Sequence, residues 1–515
     1  MPTLYRNAVL HAVPQPTLRP ATAFLVADGR IGWLGDDPAA DRLDVGADTA
    51  VVDLQTSLVT PAFVDAHVHC TATGLALTGL DLRECPSGAD VVRKVGERVR
   101  TARGRPVLGS GWDETRWPDG RPPTINELDR ASYGGAVYLS RVDEHSALVS
   151  SSLLAAVPGI RDLPGFAPDG WLRGTAHEAA RTAALAGITG EQRRTAQLAA
   201  LRRAAALGIA CVHEMAGPVV SSADDLLELL ALAADETLPD VVGYWGELFG
   251  IDTARELGAV GAAGDLFCDG SLGSHTAALH EPYADAPGEY GNLQHDTGDL
   301  VEHVVRCTEA GMQAGFHAIG DAAVDQVLTA VETAQQRVGP AAQRVRHRLE
   351  HAEYVRDPRR FAATGLIASV QPCFDALWGG GDRMYAQRLG AERAGALNRF
   401  AELAAAGVPL AFGSDSPVTE LGPWAAVRAA TRPRGPVAPL DADQAFAAHT
   451  VGARAAADSD AGPARLQVGA PATFAVWQCA GRDATLPDLT GDELPTCLAT
   501  VSGGSTLYDT GVLGG

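Results

Sequence analysis

The sequence has no apolar run long enough to span a bilayer, so a membrane-crossing helix is not expected. It also has no basic excess: 41 Lys and Arg stand against 63 Asp and Glu, a formal net charge of −22. Phosphates would be repelled by such a chain, so neither nucleic acid nor an anionic membrane is an expected partner. A CxxC pair is missing too. The eight cysteines (Cys70, Cys85, Cys211, Cys268, Cys307, Cys373, Cys479 and Cys497) are scattered. That pattern suits reduced thiols rather than a disulfide framework, and the expected location is the cytoplasm. Met1 to Leu18 has one Arg, no long apolar run and prolines at 14 and 16, unlike a signal peptide. Otherwise the composition is that of an ordinary globular protein, 46% hydrophobic and 20% charged. At 515 residues it is too long for one simple core, which implies a large domain plus a smaller one.

The stretch around which the chain is organised is Thr60 to His69, TPAFVDAHVH. Ala62-Phe63-Val64 reads as a buried strand running into Asp65, His67 and His69. Side chains at i and i+2 of a strand share a face, so the two imidazoles project together at its C-terminal end. Before this stretch, residues 1–57 read as short strands, with Asp28-Gly29 between two apolar runs as a hairpin signal. Ala472–Trp477 and Cys497–Asp509 are again strands, the second with a Gly-Gly turn. Neither end is large enough for a core alone. Residues 1–57 and 462–515 together are expected to form one composite β-sandwich, with a domain of residues 58–461 inserted between them.

Segment 75–200 has mixed character and reads as an insertion. Beyond it the pattern is regular: 208–214, 240–248, 264–270, 312–320, 344–353, 366–372 and 409–415 read as strands separated by apolar helical segments. With the Phe63 strand this makes about eight in β/α alternation, the count of a TIM (β/α)8 barrel, an α/β fold. The strand of 264–270 carries the weakest signal, being short and flanked by glycines. Polar residues fall at the C-terminal strand ends, where such barrels build their sites. His67 and His69 close the first strand, His317 the fifth, His351 the sixth and Asp415 the eighth. Alone, each reads first as a packed core histidine or, for Asp415 in GSDSP, as a turn or helix cap. Their common placement points instead to a divalent-metal site with a position open for water.

The chain resembles the amidohydrolase superfamily, and within it the amidohydrolase-3 branch. The matching motifs are TPAFVDAHVH, GSGWDETRW, DEHS at Asp143–Ser146, DGSLGSHTAAL (269–279), HAIGD (317–321), HRLEH (347–351), QP (371–372) and GSDSP (413–417). They occur in family order over nearly the whole chain. The resemblance implies a barrel, a composite β-domain from both termini, an insertion between the first two strands, and hydrolysis of a C–N bond in a small amide, carbamate or N-acyl compound. Five positions depart from it. Many relatives carry, four residues before the DG motif, a lysine that bridges two metals when carbamylated; here Asp265 stands there. His275 replaces a common arginine, Glu144 a usual glycine, and Ser150-Ser151 an asparagine-containing pair.

These residues suggest a mechanism. A divalent metal makes a nucleophile of water at neutral pH and polarises a carbonyl. Asp415 is the expected proton shuttle, as the resemblance also implies. Asp265 is shorter than a carbamylated lysine, so a single zinc is expected on His67, His69, His317 and Asp415. His351 either binds metal or hydrogen-bonds the developing oxyanion. Asp65 and Glu350 read as orienting neighbours or as an ordinary buried salt bridge. Trp112, Asp113 and His145 in the insertion, with Asp269 and Gln371 at strand ends, are the expected substrate contacts, the tryptophan serving either a lid or the insertion's own core. The expected partner is a small molecule, and a homodimer is left open. Two other functions share the fold: a non-catalytic sensor or regulator, and a metal-dependent lyase or isomerase.

Overall fold

The computed structural model describes residues 2–11, 21–102, 106–234, 237–457, 465–483 and 486–514. Prolines 14 and 16 and the expected boundary at 462 lie outside them.

Eight parallel strands form one sheet in sequential order: β1 (Phe63–Val68), β2 (Ile209–Ala216), β3 (Asp240–Trp245), β4 (Gly261–Ala262), β5 (Gln313–Ala318), β6 (Arg348–His351), β7 (Ile367–Val370) and β8 (Leu410–Phe412). A bridge between Val68 and Ser416 joins the two edges, with Asp415 N–H donating to His67 O at 2.8 Å and His69 N–H to Ser416 O at 3.0 Å. The sheet is thereby a barrel. Every residue of β1, β2, β5, β6 and β7 is buried, as expected of parallel strands covered by helices.

One strand is displaced from its expected place. The segment 264–270 is not β4; pairing of that strand ends at Ala262. Gly264 then takes φ +94, in the left-handed region open to glycine. The chain turns and rejoins β5 only through an isolated bridge between Phe267 and His317. The turn carries Asp265 to the C-terminal mouth of the barrel.

The N-terminal segment builds one further sheet, and both termini share a second. One pairs Thr3–Arg6, Ala23–Ala27, Arg30–Gly35 and Ala50–Asp53; the other pairs Val9–Leu10, Leu58–Pro61, Phe474–Gln478, Thr496–Ser502 and Ser505–Asp509. Tyr5, Phe24 and Phe474 pack between them. Leu58–Pro61 belongs to this unit and continues through Ala62 into β1. Trp477 ties the two together, donating its indole N–H to Thr60 Oγ1 at 2.9 Å and packing edge-on against Phe63.

Between β1 and β2 lie helix α1 (Cys70–Thr78), a five-stranded sheet running from Leu80–Asp81 to Trp171–Arg173, and helices that include α2 (Gly174–Leu185). This insertion has its own core around Trp112, Leu128 and Leu139. It is fastened to the barrel mouth through Asp143, which accepts from Arg141 at 2.8 Å and from Ser271 and Ser274 at 2.7 Å each. No helix among the described residues is long and apolar enough to cross a membrane.

Candidate active site

Four histidines from three strand ends meet at the barrel mouth, and each has one ring nitrogen committed. His67 Nδ1 lies 3.0 Å from Glu350 Oε2, and His69 Nδ1 lies 3.1 Å from the Met215 carbonyl. His317 Nε2 lies 3.2 Å from the Gly270 carbonyl, and His351 Nδ1 lies 2.9 Å from Gln371 Oε1. All four partners are acceptors, so the committed nitrogen carries the proton and the other offers a lone pair. Among the described residues, His67 Nε2, His317 Nδ1, His351 Nε2 and Asp265 Oδ1 are buried with no hydrogen-bond partner. Orphaned buried polar atoms converging on one place are what a ligand site leaves when only protein is counted.

Asp265 stands at the centre. Its Oδ2 is 3.2 Å from His69 Nε2, and its Oδ1 is 3.5 Å from His67 Nε2, 3.5 Å from His317 Nδ1 and 3.6 Å from His351 Nε2. Asp415 Oδ1 is 3.4 Å from His67 Nε2 and 3.1 Å from His69 Nε2. Separations of this size are those of atoms sharing an ion at bond lengths of about 2.0–2.2 Å, so the residues fit a divalent metal. Two trios are close enough to hold one: His67, His69 and Asp415, and His67, Asp265 and His351. Both use His67 Nε2, whose single lone pair serves one ion.

The electrostatics match. Burial lowers the pKa of His67 and His69, but Asp265 and Asp415 outweigh it, lifting His67 well above the usual value and His69 to about 10. Burial raises Asp265, and His67, His317 and His351 more than reverse this, holding it ionised well below the usual carboxylate range. The two carboxylates thus draw positive charge to this point, and a divalent cation can supply it in place of imidazole protons. Backbone strain gathers here as well: His351, Ala352 and Asp415 have φ of 68°, 45° and 53°, a conformation that non-glycine residues adopt where surrounding structure imposes it.

Neighbouring groups hold the cluster in place. Glu350 receives His67 and is clamped by Arg348, whose Nε and Nη2 donate at 2.8 and 2.9 Å. Asp65 Oδ1 accepts the backbone N–H of His67 and of Ser414, fixing β1 to the loop that bears Asp415.

The remaining expected residues divide. His145 comes to the cluster, its ring centroid 5.1 Å from that of His317; burial and the nearby His317 push its pKa down to about 3, so it is neutral. Gln371 orients His351. Asp269 is turned into the protein, accepting the backbone N–H groups of Ala278, Ile319 and Gly320. Trp112 is fully buried in the insertion core, its indole N–H donated to Leu139 O, and Asp113 pairs with Arg141. The structure places neither beside the histidines, because the end of their strand faces the insertion's own core.

Two cavities flank the cluster. One of about 310 Å³ opens beside His69, between α1, α2 and the insertion sheet; the other, of about 30 Å³, lies against His317, His351 and Asp415. Glu144 and Arg181, both missed by motif reading, line the larger. The one sequence signal for Glu144 was its place in DEHS where relatives carry glycine, and its φ of 56° explains that preference.

The barrel and its histidine-carboxylate cluster define a metal-dependent hydrolase fold. Residues 50–508 match the model of the Amidohydrolase family, and the chain belongs to that family, whose members depend on divalent metals. It is 29% identical to Protein LONG AFTER FAR-RED 3 of Arabidopsis thaliana, over 95% of this chain and 88% of that one. It is 25% identical to N-substituted formamide deformylase of Arthrobacter pascens, over 84% of this chain and 85% of the other. The crystal structure of an uncharacterized metal-dependent hydrolase from Pyrococcus horikoshii superposes with a TM-score of 0.75 at 27% identity, covering 96% of this chain and all of that one.

Proposed function

We propose that this protein hydrolyses a non-peptide C–N bond in a small amide, N-acyl, N-formyl or carbamate compound, using one zinc ion. The observation that supports it is the convergence of His67 Nε2 and His69 Nε2 on Asp415 Oδ1, at 3.4 and 3.1 Å, with Asp265 Oδ2 3.2 Å from His69 Nε2. Nitrogen and carboxylate donors in a compact set suit zinc. A divalent ion held there supplies Lewis acidity toward water and a carbonyl oxygen.

The residues of the chain do the rest. Asp415, lining the smaller cavity, takes a proton from the attacking water and returns it to the leaving nitrogen. Glu350 and the Met215 carbonyl keep the protons of His67 and His69 on Nδ1, so both rings present Nε2. His317 and His351 turn their free nitrogens toward Asp265 from the other side, as donors to the ion or acceptors for the substrate's N–H. His145 closes the rim beside His317 as a neutral ring.

The expectation of a single ion rested on Asp265 being too short to bridge two metals as a carbamylated lysine does. Its carboxylate lies among the histidines, brought there by the turn at Gly264. The single ion is retained on a different ground, the shared His67 nitrogen. Zinc-loaded protein incubated with simple amides, N-formyl and N-acyl amines and carbamates tests the reading. Stoichiometric release of amine and acid supports it; saturable binding with no product indicates a sensor.

A further inference from the structure

The cavities on either side of the cluster differ about tenfold in volume, about 310 against about 30 Å³. Their walls differ too. The larger is faced by Leu75, Leu108, Leu185, Ile188 and Val220, with the charged groups Glu144, Arg181, Arg193, Glu214 and Asp225 elsewhere on its wall. The smaller is closed by Phe374, Trp378, Met384 and Tyr385, all buried in one packed apolar cluster. A cavity of about 150 Å³ accommodates benzene, and a water molecule occupies about 30 Å³. The larger chamber therefore has room for a fused two-ring group, and the smaller for about one carbon or one water.

We infer that the substrate is an amide with one bulky apolar substituent, seated in the larger chamber, and no more than a one-carbon unit on the other side of the scissile bond. The inference rests on reading the histidine-carboxylate cluster as the reaction centre, because only then do the two chambers flank one bond. N-substituted formamides with a bulky amine and primary amides with a bulky acyl group both have this shape; they differ in which side of the bond enters the larger chamber.

The test uses zinc-loaded full-length protein and two readouts, calorimetric binding and turnover. The probes are N-methylformamide, N-(2-naphthylmethyl)formamide, 2-naphthylacetamide and N-(2-naphthylmethyl)phenylacetamide. At about fourfold per buried methylene equivalent, at least one of the two singly bulky amides should bind at least about 100-fold tighter than N-methylformamide. The doubly bulky amide should bind no better than N-methylformamide. Ala76→Phe, on the half-buried face of α1 that lines the larger chamber, should weaken naphthyl binding at least about tenfold and leave N-methylformamide unchanged. Met384→Ala should instead admit N-(2-naphthylmethyl)acetamide, which the unaltered protein excludes. Leu185→Trp serves as a second filling variant should Ala76→Phe fold poorly. The better naphthyl probe identifies the side that carries the bulk. Equal binding of small and bulky probes, tight binding of the doubly bulky one, or no binding of any probe would overturn the inference. Size-selective binding without turnover would keep it and remove the hydrolase reading; turnover without size preference would do the reverse.

Discussion

Asp265→Asn isolates the contribution of the residue that departs most from its relatives. The substitution is nearly isosteric and leaves Gly264 and the turn intact, but it removes one negative charge from between four buried imidazoles. A unit charge about 3.5 Å from another in a medium of effective dielectric about 20 contributes about 5 kcal/mol. Desolvation of the buried carboxylate offsets part of that, leaving a net loss of about 3 kcal/mol in metal affinity, or at least about 100-fold. The assay is competition for zinc against a chromophoric chelator, with circular dichroism confirming an unaltered fold. Zinc affinity within about threefold of the unaltered protein would refute the placement of Asp265 among the ligands and return the site to histidines and Asp415 alone.

Three further outcomes are expected. His67→Ala combined with His69→Ala should abolish zinc binding by elemental analysis while the protein stays folded, since both rings serve the site rather than the apolar core. Asp415→Asn, assayed at saturating zinc so that loss of a ligand does not limit the metal, should lose about 10²–10⁴-fold in turnover, the usual contribution of a general acid-base group; near-native kcat would remove it from the shuttle. Arg141→Met should destabilise the insertion by about 3–5 kcal/mol, because it strands the buried carboxylates of Asp113, Glu114 and Asp143; an unchanged melting temperature and an unchanged rate of proteolysis within 80–173 would contradict this.

The barrel could be read from the sequence because its strands are buried on both faces and appear as short apolar runs ending in polar residues. The composite sheet could be read for a different reason: Asp28-Gly29 and Gly503-Gly504 take positive φ at both turn positions, which leaves a clear turn signal. Where the reading failed, local pattern and tertiary geometry diverged. The apolar run at 264–270 resembles a strand, yet Gly264 breaks it and swings Asp265 into the mouth. For Trp112 the reading had left a lid and the insertion's own core open, and its packing favours the core; Asp113, expected to contact substrate, pairs instead with Arg141. Asp269 lies at the edge of the cluster, its Oδ1 3.9 Å from His317 Nε2, with its carboxylate accepting three backbone amides. The chambers were beyond sequence reading, since their walls come from α1, α2 and loops distant along the chain.

The claim that the cluster is a divalent-metal centre is tested most directly by anomalous scattering at the zinc edge from crystals of zinc-loaded protein. A single full-occupancy peak bounded by His67, His69, Asp265 and Asp415 is the predicted result. An absence of signal there, or a peak held by other residues, would contradict it.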